Sequence, residues 1–186
     1  MKKRVFIAIN IPEIIKNKIG NLISLSKKAN SNPLIKYVKP EILHLTLHFL
    51  GELEPSQIET VKNVMLRLAG NYSAANLTTG NINAFPNLKN PQVVFLETNE
   101  KNGRIIIGLQ KNLGEELEKF KIDVDHRNWK PHITLARIKG QCQFKFESLF
   151  FPETEIPIKS IELMESNLKP SGSEYKIIES YSLKNA

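Results

Sequence analysis

Apolar residues fall along this chain in two rhythms, every second position in some stretches and every third or fourth in others. Val5 to Ile11 is a short apolar run that predicts a buried strand. Pro12 and Glu13 suit the first turn of a helix, where a missing N–H is harmless and a negative charge meets the dipole. Ile15, Ile19, Leu22 and Ile23 give that helix one apolar stripe. After a loop at Asn30-Ser31-Asn32-Pro33, Ile35 to Val38 reads as a short strand leading through Pro40 into a longer one, Leu43 to Leu50. Gly51 and Pro55 mark a turn and a helix start; Ile58, Val61, Met65 and Leu68 carry the helix to near Gly70. Leu77 to Ala84 predicts a strand, followed by a loop around Phe85-Pro86, and the adjacent apolar residues Val93 to Leu96 predict a strand buried on both faces. A third helix carries Ile106, Leu109, Leu113, Leu117 and Phe120 on one side. Gly108 and Gly114 each weaken it by about 1 kcal/mol relative to Ala, so packing must hold it. Trp129-Lys130-Pro131 leads into another strand, which Pro131 opens without breaking a central ladder. Ile156 to Ser166 and Tyr175 to Leu183 read as two final strands, joined into a hairpin by Lys169-Pro170-Ser171-Gly172.

Two of these strands share a polar pattern, His44-Leu45-Thr46-Leu47 and His132-Ile133-Thr134-Leu135. Side chains alternate along a strand, so His and Thr two apart share a face while the intervening apolar residues anchor the other. The chain holds 4 His and Thr is scarce, so two His with Thr two residues on is about a one-in-a-hundred coincidence. The wide offset between the motifs suggests two similar α+β halves, although no repeat is evident outside them. By the same alternation His48 shares the face of His44 and Thr46, and Arg137 falls opposite His132 unless a bulge or the strand end turns it.

Composition narrows the setting. At 186 residues the chain is long enough for one domain or two small lobes with a real core, and 41% hydrophobic with 24% charged residues is ordinary for a globular protein. Nothing approaches the roughly 18 uninterrupted apolar residues of a membrane span. Met1-Lys2-Lys3-Arg4 resembles a signal-peptide start, but the apolar run behind it stops at Asn10 and Pro12 without a small-residue cleavage site. The lone Cys142 excludes an internal disulfide and fits a reducing cytoplasm. Net charge is +7, which favours anionic partners, RNA included. Lys36, Lys39, Arg127, Lys130, Arg137 and Lys139 all lie within ten residues of one motif or the other, where a phosphate-binding cleft needs them.

Leu43-His44-Leu45-Thr46-Leu47-His48-Phe49-Leu50-Gly51 and Pro131-His132-Ile133-Thr134-Leu135-Ala136-Arg137 resemble the paired motifs of the two-histidine phosphoesterases, and more narrowly the RNA 2′,3′-cyclic phosphodiesterases once named 2′-5′ RNA ligases. The likeness extends to Val5-Phe6-Ile7-Ala8-Ile9, to Phe85-Pro86 and to Leu163-Met164-Glu165-Ser166-Asn167-Leu168. It implies one two-lobed α+β domain over residues 1–186, two pseudo-symmetric lobes of antiparallel sheet with helices outside and a groove between. Opening a cyclic phosphodiester needs a water made nucleophilic and a leaving alkoxide given a proton. Two imidazoles divide that work near neutrality, one on each side of phosphorus, because an unperturbed His titrates near 6.5. The scheme requires no metal and no other cofactor. The resemblance makes His44 the proton donor, His132 the proton acceptor, and Thr46, Thr134 and Arg137 the groups that hold the phosphate, with a terminal 2′-phosphate as product. Relatives often carry Lys where this chain has His48.

Other readings remain open on residues alone. A metal hydrolase would use His44 and His48, four apart, yet that segment is strand-like and lacks the Glu that usually stands between such ligands. A non-catalytic RNA-binding module explains the charge and leaves the His–Thr pairs without a purpose. The same site could also serve small nucleotides or reversible 2′-5′ ligation. Tyr37 or Trp129 could stack on a base or belong to the core, and His126 reads as a loop residue.

Overall fold

The computed structural model describes residues 1–101, 103–169 and 172–185, and its elements follow the apolar rhythm closely. Strand β1 (Lys3–Asn10) runs into helix α1 (Glu13–Ala29), whose stripe of Ile15, Ile19, Leu22 and Ile23 is buried. After β2 (Ile35–Tyr37), a single turn of 3-10 helix at Pro40–Ile42 delivers the chain to β3 (His44–Leu53). Helix α2 (Pro55–Ala69) opens on a reciprocal cap in which the Glu54 and Gln57 side chains each accept the other's backbone N–H. Strands β4 (Ala75–Phe85) and β5 (Val93–Asn99) precede α3 (Ile105–Glu118), whose free N–H groups at Ile105 and Ile106 are taken by the Glu100 carboxylate. The second motif strand is β6 (His132–Ile138).

The end of the chain departs from expectation. Ile156 to Ser166 is not one strand; it divides at Lys159 into β7 (Glu155–Ile158) and β8 (Ser160–Lys169), before β9 (Gly172–Ser182) completes the hairpin. The apolar positions carry the reason: Ile156 and Ile158 are in step, then Ile161 and Leu163 are one residue out of phase. Pro170 and Ser171 of the expected turn lie outside the described residues; Lys169 and Gly172 are paired on either side of it.

Among the described residues nine strands form one antiparallel sheet in the order β7-β4-β5-β6-β3-β1-β8-β9, with β2 also paired to β6. One residue, Lys159, joins β7 at an edge of that order to β8 near the opposite edge. A residue spans at most about 3.6 Å, so the sheet curls until its ends approach. About the β3–β6 junction the order divides into two four-strand sets, each with a motif strand innermost, and these are the two halves of the expected architecture. Helices do not cover the halves evenly: α2 packs on β8 and β9 and α3 on β3, while α1 lies against β2, where the Ser26 and Tyr37 hydroxyls meet at 3.0 Å. One large apolar core, including Leu45, Leu47, Ile133 and Leu135, fills the helix side. A small separate cluster, Phe6, Ala8 and Met164 with Tyr175 against it, lies outside that core. Among the described residues no helix is long and apolar enough to cross a membrane.

Candidate active site

The site is built where β3 meets β6. Their ladder has one paired rung, Leu45 opposite Ile133, with both side chains fully buried. Antiparallel counting outward from that rung sets His44 beside Thr134 and Thr46 beside His132, all four on the face away from the core and half-buried. The two histidines are therefore diagonal neighbours, with backbones about 7–8 Å apart, a separation that leaves room for one tetrahedral group between the rings.

Each ring is held in the same way. His44 Nδ1 lies 2.8 Å from the Ile42 carbonyl oxygen and His132 Nδ1 lies 2.7 Å from that of Lys130. A carbonyl only accepts, so Nδ1 carries the hydrogen in both and Nε2 is left for the groove. In the neutral His44 ring Nε2 then accepts from the Thr46 hydroxyl at 3.0 Å. Burial lowers the pKa of both imidazoles, His44 to about 4, with the Arg137 guanidinium adding to the effect on each.

Aromatic rings that the sequence reading did not assign to the site flank both histidines. Phe6 and Tyr175 stand 5.0 and 5.1 Å from the His44 ring, and Phe85 and Phe95 stand 5.3 and 5.1 Å from His132. Phe85 in turn stacks on Phe95, with ring centroids 4.2 Å apart. Signals existed: Phe6 alternates with Ala8 on β1, and Phe95 alternates with Val93 on β5, so each faces away from its core-directed neighbours.

Matching irregularities then reshape both motif strands. Ala8 and Ile7 pair with Thr46 and His48, so Leu47 is an extra residue; Phe95 and Val94 pair with Thr134 and Ala136, so Leu135 is another. In β6 the bulge buries Leu135 and Ala136 in succession and turns Arg137 to the exposed face of His132 and Thr134, fulfilling the condition set by its position. In β3 it sends His48 the opposite way. The expectation that His48 shares the face of His44 and Thr46 is corrected: its side chain is buried against α3, with Nε2 donating to the Gln110 carbonyl at 2.7 Å. His44 and His48 thus face opposite sides of the sheet and do not share an ion, which removes the metal pair considered from sequence.

Other candidates take structural places. Trp129 packs on the core and donates from Nε1 to the Thr46 carbonyl at 3.0 Å, and Tyr37 also packs on the core. His126 is an exposed loop residue 3.2 Å from Glu118, and Arg127 is paired with Asp125. Beside His132 lies a cleft of about 940 Å³, lined in part by Asn83, Phe85, Phe95, Trp129 and Lys130.

Comparison with known proteins agrees with this architecture. The model of the family described as LigT like Phosphoesterase matches residues 9–95. A Thermus thermophilus protein named RNA 2′,3′-cyclic phosphodiesterase is 33% identical, covering 97% of this chain and 90% of its own length. One of the same name from Methanothermobacter thermautotrophicus is 27% identical, covering 98% of this chain and all of its own. Among solved structures, TT0787 of Thermus thermophilus superposes with a TM-score of 0.80 at 28% identity, covering 98% of both chains. The Escherichia coli LigT complex with 3′-AMP gives a TM-score of 0.78 at 23% identity, covering 98% of this chain and 99% of that one, and shares the fold. The chain belongs to the LigT-like phosphoesterase family.

Proposed function

We propose that this chain hydrolyses RNA 2′,3′-cyclic phosphate ends to 2′-phosphates by metal-independent general acid–base catalysis with His44 and His132. The observation that carries the reading is the crossed placement of two His–Thr pairs on one open face of the β3–β6 junction. The names borne by the Thermus and Methanothermobacter relatives support the substrate class.

In this reading the cyclic phosphate lies between the two Nε2 atoms. Water attacks phosphorus while His132 Nε2 takes its proton, and the bond to the 3′ oxygen breaks as His44 Nε2 gives that oxygen a proton. The electron pair of the broken bond stays with the 3′ oxygen, and the phosphate remains on the 2′ oxygen. On binding, the Thr46 hydroxyl turns from His44 to a non-bridging oxygen, Thr134 donates to the same group, and Arg137 adds a forked cation. A phosphodiester anion beside His44 restores the proton that burial withholds in the free protein.

The test is incubation with an oligonucleotide bearing a defined 2′,3′-cyclic end, followed by identification of the phosphate position in the product. The expected product is the 2′-phosphate, formed equally in EDTA. His44→Ala and His132→Ala should each lower turnover by about 10² to 10⁴, the usual scale for a lost general acid or base. Full activity in either variant rejects the assignment.

A further inference from the structure

The rung of β2 next to Arg137 carries a charge that the two His–Thr pairs leave unused. In the β2–β6 ladder Ile35 opposes Ile138, Lys36 opposes Arg137 and Tyr37 opposes Ala136. Ile35, Ile138 and Ala136 are buried and the Tyr37 hydroxyl meets Ser26 of α1, so the outer rungs point to the helix-covered face. The middle rung points the other way, and both its side chains are exposed on the face that holds His132 and Thr134. Side chains directly opposite begin about 5 Å apart, where like charges repel. Neither Lys36 nor Arg137 forms an ion pair among the described residues, whose pairs all lie elsewhere. Two adjacent cations without a counter-charge are a strained arrangement that a bound anion relieves.

The opposite half of the groove carries no cation at the position that matches Arg137. Phe49 stands five residues after His44 as Arg137 stands five after His132, and its ring is exposed, with its centroid 6.0 Å from that of Phe6. One half therefore presents aromatic surface where the other presents Arg137 flanked by Lys36. Lys36 stands on β2, which takes the place of β3 beside β6 past the Leu45–Ile133 rung, so it lies further along β6 from the two His–Thr pairs, beyond the phosphate that Arg137 would hold.

We propose that Lys36, together with Arg137, forms a second phosphate subsite for the internucleotide phosphate on the 5′ side of the terminal nucleoside. The consequence is preference for oligonucleotides over mononucleotides. This rests on the reading of the groove as a cyclic phosphodiesterase site. That phosphate is the nearest other anion on an RNA end, Arg137 has donors enough to bridge two phosphates, and Lys36 supplies a point charge to the outer one.

The experiment compares the intact protein with Lys36→Gln, which keeps length and polarity at an exposed position and removes the charge. Turnover is measured on a 2′,3′-cyclic mononucleotide and on a dinucleotide with the same end. Binding is measured separately, as a function of salt, for a nucleoside 2′-phosphate and a dinucleotide ending in 2′-phosphate. Lys36→Gln should raise KM and Kd about tenfold for the dinucleotides, as for one charge-assisted contact, leave kcat unchanged, and move the mononucleotide constants less than twofold. The slope of log affinity against log salt should fall by about 0.7 for the dinucleotide. Equal losses on both lengths, or none on the dinucleotide, overturn the subsite. Dinucleotide binding through Lys36 without any opening of cyclic ends sinks the phosphodiesterase reading and leaves the anion site standing. Normal turnover with indifference to length does the reverse.

Discussion

His44 and His132 are tethered through Nδ1 in near-identical fashion, yet their surroundings differ. Burial lowers both, and His44 also feels the positive charges of Arg137, His132 and Lys16, which take it to about 4 against the opposing carbonyl of Ile42. Two such rings titrate as a pair, and the singly protonated state that the proposed chemistry needs is most populated between their two apparent values. Both values lie below 6.5 in the free protein. The bell of kcat/KM on a cyclic end should therefore peak below pH 6.5, while kcat, which reports the complex with an anion, should peak at higher pH. A kcat/KM optimum above pH 7 contradicts this. Folding is linked to the same burial. An unfolded His takes a proton near 6.5 and the folded His44 only near 4, so between these values the unfolded chain binds more protons and stability falls as pH falls. The loss is about 3 kcal/mol across that window, fully regained above 6.5. His44→Gln should flatten this part of a denaturant-derived stability profile; an unchanged slope between pH 4 and 6.5 would assign it to another group.

Alternation along single strands was enough to set His44 with Thr46 and His132 with Thr134, because those residues precede the irregular point in each strand. It failed just beyond. A bulge belongs to a ladder and depends on how many residues the partner offers, so Leu47 and Leu135 give no local sign of being extra. Arg137 gained its place by that route and His48 lost one. His48 instead explains a glycine that looked only costly in α3. A Cβ on Gly114 would sit 3.0 Å from His48 Cε1 and 3.6 Å from Val124 Cγ2. The ring has little freedom to withdraw, because its Nε2 is bonded to Gln110 one turn earlier on the same helix. Helix propensity favours Gly114→Ala by up to about 1 kcal/mol. Overpacking opposes it by about 1–3 kcal/mol, so the variant should be net less stable. A urea titration decides: a midpoint at or above that of the parent means that the ring moves freely.

At the scale of the whole molecule, the sequence displayed the strands and concealed how the sheet closes. The division at Lys159 was visible as a phase slip between Ile158 and Ile161, but only the curl of the sheet says why one stretch serves both edges. The same curl leaves the centre lightly joined. Between the two motif strands there is one ladder rung, and beyond it β6 takes β2 as its neighbour instead of β3. A second tie crosses the junction at the site itself, from Trp129 Nε1 just ahead of β6 to the Thr46 carbonyl in β3. Trp129→Phe keeps most of the apolar contact and removes that donor, leaving the carbonyl without this partner. The stability cost should be modest, about 1 kcal/mol for one hydrogen bond. The catalytic cost should be larger, since both His–Thr pairs must address one phosphorus atom and a displacement of about 1 Å can lower turnover near 10²-fold. Far-UV circular dichroism across a denaturant series gives the first quantity, and kcat on a cyclic-ended oligonucleotide gives the second. A fall in kcat no greater than the fall in folded fraction would mean that the lone rung and β2 already fix the spacing without Trp129.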